Sequence, residues 1–331
     1  MLRTNRRAFI AGLGVTAAWP LATLAQPSDH MRRIGVLLNL APDDPETRVR
    51  LAAFLEALQR LGWSEDRNLK IDYRWGMGDM NRHRANIAEL VALTPDLILV
   101  HGSTIMGPPQ RATQTIPIVF VSVSDPVAGG FVDSLARPAR DATGFVSSDY
   151  GMAGKWLELL KQVAPQVTRV AVIRDPVQVS GGGQLGALSA VAPLLGVELT
   201  PVGLSEPDEI ERAITTFARQ PNGGLVVTTA AAAQIHRKLI ISQAEKNRLP
   251  AIYPYRMFVR SGGLMAYGPD VSEEYRRAAS YVDRILKGEK PGDLPVEAPT
   301  KYLLEINLNA AKTIGLTVSP SVLVRADEVI E

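Results

Sequence analysis

The sequence contains no cysteine, and this absence narrows the kinds of site that the chain can hold. Without thiols there are no disulfide bridges, no thiolate nucleophile, no cysteine-ligated zinc and no iron–sulfur cluster. Lipid attachment through an N-terminal cysteine is excluded for the same reason. The four histidines, His30, His83, His101 and His236, also lack the spacing typical of metal ligands. We therefore predict a protein without a metal or a cofactor.

Several common catalytic and phosphate-binding motifs are absent as well. No G-x-S-x-G elbow occurs, and no G-x-G-x-x-G follows the first predicted strand. The glycine run at 180–183 is not followed by Gly-Lys-Ser/Thr, so it is interpreted as a flexible loop and not as a phosphate-binding loop. Beyond residue 25 the chain has 33 of its 36 basic residues and all 34 acidic ones, which gives no charge argument for binding nucleic acid.

The N-terminus has the order of an export signal. Arg6-Arg7-Ala8-Phe9 resembles a twin-arginine motif, a short apolar stretch follows up to Leu24, and Thr23-Leu24-Ala25 offers a small-x-Ala cleavage site. We predict that residues 1–25 are a signal peptide cleaved near Ala25, although an uncleaved amphipathic N-terminus is the alternative. The rest of the sequence has no apolar run of membrane-spanning length. The mature protein is therefore expected to be periplasmic and soluble, and not inserted in the membrane.

The body of the chain alternates apolar strands with amphipathic helices, and the pattern occurs twice. Arg33–Leu37 matches Arg169–Ile173, Leu97–Leu99 matches Leu225–Val227, and the Ile-Pro and Leu-Pro strand starts at 116 and 249 also match. The offsets lie between 128 and 136 residues. Alternating strands and helices predict parallel sheets flanked by helices. We predict two tandem Rossmann-like α/β lobes with a hinged cleft, since ligands of such sheets bind beyond the carboxyl ends of the strands.

Polar residues collect where the predicted strands end. In the first half these positions are Asn39, Ser103, Thr104 and Asp125, and in the second half Asp175, Thr229, Tyr253 and Asp270. Hydroxyls, amides and a few acids suit hydrogen bonding to a polar solute and supply no evident nucleophile and base pair. Each also has a structural alternative, because Ser103 and Thr104 suit a helix cap and the Asp-Pro pairs suit turns. Free N–H groups at 103–105 would suit a ligand carboxylate.

Several segments give the chain a resemblance to a known family. They are Thr115–Phe120, Ser124–Val127, Ser134–Pro138, Gly262–Gly268, Ile285–Pro291, Leu294–Lys301, Asn307–Lys312 and Ala326–Ile330. In this order they resemble the ABC transporter substrate-binding proteins that include tryptophan- and tyrosine-binding members. The resemblance covers nearly all of residues 31–331 and implies a type I periplasmic-binding fold.

The resemblance also implies a cleft ligand, with aromatic amino acids favoured. By position, the first-lobe ligand contacts are Asn39, Ser103, Thr104 and Asp125, and those of the second lobe and hinge are Ser148, Tyr150, Asp175, Thr229, Tyr253 and Asp270. The chain departs from the family pattern at Ala139-Arg140-Asp141, where many members have a glycine–asparagine pair. It departs again at Thr228-Thr229-Ala230-Ala231, where an acidic residue is usual. This second departure reduces the negative charge expected to face a ligand amine.

The resemblance predicts a periplasmic component of an ABC importer, acting as a monomer with permease and ATPase subunits as partners. The first lobe is predicted to comprise residues 31–145 and about 272–297, and the second 146–271 and about 298–331. Two other functions stay open from the sequence. A ligand-sensing co-receptor would use the same cleft, and an α/β enzyme acting on a small metabolite would need a carboxylate such as Asp125 or Asp175.

Overall fold

The computed structural model describes residues 31–331, apart from residues 66, 104–105, 108–111, 114, 139, 177 and 205. The predicted signal peptide and Thr104 lie outside the described residues. The strands are β1 (Arg32–Leu38), β2 (Leu69–Trp75), β3 (Leu97–His101), β4 (Ile118–Val123), β5 (Ala142–Val146), β6 (Arg169–Arg174), β7 (Glu198–Gly203), β8 (Gly223–Val227), β9 (Ala251–Tyr253), β10 (Met265–Pro269), β11 (Tyr302–Asn307) and β12 (Glu328–Ile330).

Helices connect most of these strands. The described helices are α1 (Pro45–Arg60), α2 (Met80–Ala92), α3 (Met152–Val163), α4 (Val179–Val191), α5 (Pro207–Phe217), α6 (Ala231–Ile235), α7 (Arg237–Lys246), α8 (Arg256–Arg260), α9 (Val271–Leu286), α10 (Leu308–Thr313) and α11 (Pro320–Leu323). Within the described ranges, no helix has the length and apolar character needed to cross a membrane.

The first sheet has the order β2-β1-β3-β4-β5, and all of its neighbouring strands are parallel. The three central strands are almost wholly buried, which explains why their sequences are continuous apolar runs and not alternating ones. The second sheet has the order β12-β11-β10-β9-β8-β6-β7. Its strands β6 to β10 are parallel, whereas β11 is antiparallel to β10 and β12 follows β11.

The two sheets repeat one topology, as the sequence offsets predicted. Strands β1 to β5 occupy the positions that β6 to β10 occupy in the second sheet, since both sheets contain a first strand flanked by the second and third. The prediction of two tandem parallel α/β lobes is confirmed, and β11 and β12 are an addition to the repeat. We call the part built on the first sheet the first lobe and the part built on the second sheet the second lobe.

The chain passes between the lobes three times. After β5 it enters α3 on the second sheet, and after β10 it enters α9, which packs against α1, β4 and β5 of the first lobe. Tyr275 of α9 makes an edge contact with Phe54 of α1, with ring centroids 6.4 Å apart. Glu297 then pairs with Phe145 beside β5 before the chain returns to form β11. The carboxyl ends of both parallel sheets are thereby joined by three neighbouring segments.

The glycine run at 180–183 is helical, so its interpretation as a flexible loop is wrong. It forms the first turns of α4. A Cβ at Gly181 would lie 2.3 Å from the backbone oxygen of Asp175, and one at Gly183 would lie 2.4 Å from the Tyr150 ring. Side chains at these positions would push the helix away from the end of β6. Gly181 and Gly183 are therefore explained by close approaches to a backbone oxygen and to a ring, whereas a Cβ at Gly182 would meet nothing within 4 Å.

Candidate functional site: a cavity between the lobes

A cavity of about 870 Å³ lies at the carboxyl ends of both sheets and has walls from both lobes. The first-lobe wall includes Met77, Met80, Arg84, Ser103, Ser124, Asp125 and Phe131. The second-lobe wall includes Asp175, Gln178, Ser180, Leu204, Glu206, Pro207, Ile235 and His236. Three of the sequence-predicted residues, Ser103, Asp125 and Asp175, thus face one cavity. Its volume is within the range of small-molecule sites, about 300–1,000 Å³.

The end of β4 presents Asp125 through an uncommon backbone conformation. Asp125 has a φ of 44°, in the left-handed region that Asp and Asn tolerate better than most residues. Its carboxylate oxygen Oδ1 accepts a hydrogen bond from the backbone N–H of Ala128 at 2.9 Å. The same turn is also held by Ser103, which follows the neighbouring strand β3 and whose Oγ accepts a hydrogen bond from the N–H of Ser124 at 2.8 Å. Both bonds fix where the acid stands beside the cavity.

A chain of hydrogen bonds joins the lobes at the base of the cleft. The Ser124 hydroxyl lies 3.1 Å from the hydroxyl of Ser147 and 3.3 Å from that of Thr229. Thr229 in turn accepts from Nε2 of Gln184 at 2.8 Å and donates its N–H to Oε1 of the same side chain at 3.1 Å. We call Ser124, Ser147, Thr229 and Gln184 the hydroxyl bridge. It connects β4, the segment after β5, the end of β8 and helix α4.

Tyr150 lies between Asp125 and the second lobe. Its ring packs over Gly183 of α4. Burial, with a further contribution from the charge of Asp125, raises the pKa of the Tyr150 phenol. No hydrogen bond of standard length joins the two groups, although the carboxylate is close enough to act on the phenol. Tyr150 therefore remains a neutral phenol next to the acid.

An ion pair closes the outer part of the cleft. Arg237, at the start of α7, donates from Nη2 to Oδ2 of Asp44 at 2.8 Å, and both side chains are nearly buried. Asp44 is also the N-cap of α1, with Oδ1 accepting from the N–H of Glu46. Ile235 reaches across nearby, since a Cβ at Gly78 would lie 2.5 Å from its Cδ1. These contacts belong to an arrangement in which the lobes touch.

Behind the cavity, the first lobe contains a buried polar cluster of Arg50, His101, Ser122 and Glu274. The Ser122 hydroxyl donates to Oε2 of Glu274 at 2.6 Å, and burial raises the pKa of Glu274 to about 8. Nη1 of Arg50 lies 3.3 Å from Nε2 of His101. Burial, reinforced by the Arg50 charge, lowers the pKa of His101 well below its usual value. His101 is thus a neutral structural residue.

Two predicted residues lie outside the cavity walls described above, and one of them, Asn39, lies next to this cluster. Asn39 is buried and donates from Nδ2 to the backbone oxygen of His101 at 3.4 Å. It lines a void of about 10 Å³ together with Arg50 and His101, which is about the size of one water molecule. Ser148 is also buried, and its hydroxyl has no hydrogen-bond partner among the described residues.

The structure does not bring Tyr253 and Asp270 to the cavity. Tyr253 is buried in the second-lobe core, with its ring stacked on Phe258 at a centroid distance of 4.7 Å. It borders a separate void of about 190 Å³ next to Leu264. Asp270 is the N-cap of α9 and accepts from Nη2 of Arg256 at 2.9 Å. Tyr253 therefore lies at a strand end because it packs in the core, and Asp270 because it caps a helix.

Sequence reasoning missed the apolar and amide side chains of the site. Met77 and Met80 follow β2, while Leu204 and Glu206 follow β7. These are the carboxyl ends of matching strands in the two sheets, so the rule that located Ser103 and Asp125 also covers them. Gln178 and Gln184 were missed because they flank the run at 180–183, which was predicted to be a loop. Gln178 is the N-cap of α4 and binds Asp175, whereas Gln184 lies within the helix and binds Thr229.

A further cavity of about 660 Å³ lies at the other end of the first sheet, beside Arg32, Asp96 and Pro291. Arg32 and Asp96 already form an ion pair there at 2.7 Å. This cavity is lined by residues at the amino ends of strands and by the segment after α9. Because α/β sheets bind ligands at the carboxyl ends of their strands, we assign the functional site to the interlobe cavity.

A family model matches this two-lobed chain over most of its length. The model for the ABC transporter substrate binding protein family matches residues 43–330. The chain belongs to this family. A tyrosine-binding protein of Clostridioides difficile is 25% identical over 295 residues, which are 87% of this chain and 83% of that protein.

Solved structures share the fold of this substrate-binding protein. A conserved domain protein from Vibrio cholerae has a TM-score of 0.84 at 24% identity, covering 90% of this chain and 99% of that one. An ABC domain from Streptococcus pneumonia in complex with L-Trp has a TM-score of 0.83 at 23% identity, with the same coverage. A ligand-free, open substrate-binding protein with adhesive properties from Clostridium difficile has a TM-score of 0.66 at 24% identity, covering 91% and 99%.

Proposed function

We propose that this substrate-binding protein captures a small polar solute in the interlobe cavity by hinge closure and delivers it to the permease and ATPase subunits of an ABC importer. The observation that carries the proposal is a cavity of about 870 Å³ whose polar groups come from both lobes. A solute that contacts Asp125 and Asp175 together stabilises only the arrangement in which the lobes approach. Ligand binding then shifts the population toward that closed arrangement.

The contacts between the lobes support the closure step. The hydroxyl bridge and the Asp44–Arg237 pair both join groups from different lobes at hydrogen-bonding distance. Rotation of the lobes about the three connecting segments would separate both. The TM-score is also higher with the L-Trp complex than with the ligand-free, open relative. On this proposal the arrangement described above is the closed state, and an open state admits the solute.

Amino acids, aromatic ones first, are the initial candidates for the solute. Relatives are a tyrosine-binding protein and a domain solved with L-Trp. In this chain, Phe131, Met80 and Ile235 provide an apolar wall, and the serines and acids provide polar partners. The N-terminal pattern at residues 1–25 supports export to the periplasm, where a monomeric protein would meet the solute.

The test is a melting-temperature screen of residues 26–331 against amino acids, aromatic acids, amines, sugars and dicarboxylates. A solute that binds only the folded state stabilises it and so raises the melting temperature. At a free solute concentration of one hundred times the dissociation constant, the added stability is about 2.7 kcal/mol. We expect a large shift for one chemical class, with one-to-one stoichiometry by calorimetry and no turnover. The absence of any shift, together with no retained solute in native mass spectrometry of protein purified without refolding, would contradict the proposal.

A further inference from the structure

The charged residues that the structure describes on the walls of the interlobe cavity are unequal in sign. Among the described lining residues, Asp125, Asp175 and Glu206 are acidic, whereas Arg84 is the only lysine or arginine. His236 is the only histidine on the walls described. The family pattern places an acid after β8, and this chain has Thr229 there. The second lobe nevertheless supplies negative charge from two other strand ends, those of β6 and β7.

Asp125 is held in a way that suits recognition of a ligand cation. Its left-handed backbone and its bond to Ala128 N–H keep the carboxylate in place before any ligand arrives. The neighbouring Tyr150 is a neutral phenol, so it does not neutralise the acid. Asp175 lies on the opposite wall, where its Oδ2 accepts from Nε2 of Gln178 at 2.8 Å. A positive group between the walls is attracted to both lobes.

Among the described side chains of the same walls, a ligand carboxylate finds little cationic support. Arg84 is exposed and its Nη1 donates to Oδ1 of Asn81 at 3.2 Å, on the outer part of α2. Two like charges repel each other, and the repulsion is stronger near a protein surface than in bulk water. An anionic group close to Asp125 or Asp175 is therefore repelled, which disfavours it against a cationic ligand of equal shape.

The remaining wall is apolar. Met80, Phe131, Leu204 and Ile235 border the cavity on both sides, and the volume leaves room for a body of one or two rings. An aromatic ring or a comparable hydrocarbon body would be buried there while its charged end faces the acids. This combination of an apolar wall and an acidic wall describes an amphipathic ligand.

We propose that the solute is a net cation, an organic amine with an apolar, ring-sized body and no carboxylate. The inference rests on the proposed function, because it assigns the ligand class of the same cavity. The ammonium is placed between Asp125 and Asp175, and the body lies against Phe131, Met80 and Ile235. A zwitterionic amino acid of the same shape binds more weakly, since its carboxylate enters a negative field.

The test compares ligands that share one body and differ in charge. Calorimetry of residues 26–331 would use tryptamine, tryptophan and indole-3-propionate, and the matching phenols tyramine, tyrosine and 3-(4-hydroxyphenyl)propionate. We expect the amine of at least one series to bind at least tenfold more tightly than its amino acid, and no binding of the acids. Equal or tighter binding of an amino acid would overturn the inference while leaving solute binding intact.

Two further outcomes separate this inference from the function on which it rests. If no amine binds but a sugar or dicarboxylate of the wider screen does, the inference is wrong and the clamp function stands. If no compound of any class binds and none is retained after purification, both fail.

Asp125→Asn tests the assigned residue directly. Asparagine tolerates the left-handed backbone and keeps an oxygen for Ala128 N–H, so the turn should persist. We expect the affinity for the best amine to fall at least tenfold. Asp149→Asn is the matched control, because Oδ1 of Asp149 also accepts a backbone N–H three residues later, from Met152 at 3.1 Å, outside the cavity walls. Unchanged amine affinity in Asp125→Asn would overturn the assignment, whatever the control shows.

Discussion

In the first lobe, the ends of β3 and β4 contain three residues in the left-handed region, Gly102, Ser122 and Asp125. In the second lobe, the described residues at the carboxyl ends of β6 and β8 have no positive φ. The second lobe instead holds its strand ends through α4, where Gln184 binds Thr229 and Gln178 binds Asp175. Backbone in the left-handed region persists only where the surrounding structure holds it. The first-lobe wall of the cavity is therefore positioned by its own turns, and the second-lobe wall by helix α4.

The largest effect should come from moving that helix. In Gly181→Ala the new Cβ would meet the backbone oxygen of Asp175 at 2.3 Å, and α4 must shift away from β6. We expect a loss of about 3 kcal/mol in urea unfolding and at least a tenfold loss of solute affinity. The matched control is Gly186→Ala in the same helix, where nothing lies within 4 Å. It should gain about 0.5–1 kcal/mol. Equal stability of the two variants would show that α4 does not set the second wall.

The next effect should appear when Thr229 loses its hydroxyl. Thr229→Val leaves the fully buried Nε2 of Gln184 without its acceptor and removes the link to Ser124. We expect a loss of about 1–3 kcal/mol in the free energy of unfolding and weaker closure. Thr313→Val is the control, because its hydroxyl bonds Asn309 on an exposed helix. A loss no greater than that of the control would mean that the hydroxyl bridge is not a stabilising contact.

These two positions also show what the sequence can and cannot predict. Thr229, Ser103, Asp125 and Asp175 were found because parallel sheets present their carboxyl ends to ligands, and strand ends can be located from apolar runs. The helical state of 180–183 could not be predicted, since glycine has no side chain to show helical periodicity. The need for glycine at 181 comes from its close approach to the backbone of Asp175, which is visible only in three dimensions.

The lobes themselves were predictable for a similar reason. Buried strands that recur at a nearly constant offset in the sequence indicate a repeated topology. Strands β1 to β5 and strands β6 to β10 have this same topology in the two sheets. The reversed direction of β11 was not predicted, because a buried strand has the same apolar pattern in either direction. Tyr253 follows an apolar run just as Asp125 does, yet it packs on Phe258 because β9 is buried on both faces.

The buried polar cluster gives the first lobe a pH dependence that the second-lobe helix does not share. Burial raises the pKa of Glu274 from 4.5 to about 8. Between these values the folded state binds more protons than the unfolded state, so this group's contribution to stability falls as the pH rises. The slope is at most about 1.4 kcal/mol per pH unit. The hydrogen bond from Ser122 and the charge of Arg50 oppose the increase in pKa. The other groups that interact with Glu274 are Asp270, Tyr255, Tyr275 and Tyr302.

Glu274→Gln should remove this slope. The amide imitates the protonated carboxyl group and retains an acceptor for the Ser122 hydroxyl. We expect the variant to match the parent protein near pH 5 and to exceed it in free energy of unfolding at pH 8. Taking the difference between the two proteins cancels the other titrating groups, including buried histidines. A difference that stays constant from pH 5 to pH 8 would contradict a raised pKa at Glu274.

The smallest effect should come from the Asp44–Arg237 ion pair between the lobes. Asp44→Asn keeps a good helix cap but removes the charge that pairs with Arg237. We expect a loss of about 1 kcal/mol from the closed state, seen as a threefold to tenfold weaker solute affinity with little change in folding. Glu56→Gln, which removes an exposed pair with Arg60 on the same helix, should change neither quantity. Unaltered solute affinity in Asp44→Asn would show that the Asp44–Arg237 pair does not stabilise the closed state.

Closure on a solute is the central claim, and the absence of cysteine makes its measurement direct. Two cysteines at the exposed positions Arg48 and Lys238, one on each lobe near the Asp44–Arg237 pair, can be spin-labelled without competing thiols. We would record the label distance by pulsed electron spin resonance, without ligand and with saturating tryptamine or tryptophan, whichever binds more tightly. If the lobes close on the solute, we expect a longer or broader distribution of label distances in the free protein and a single short distance with ligand. The same distribution in both conditions would contradict it.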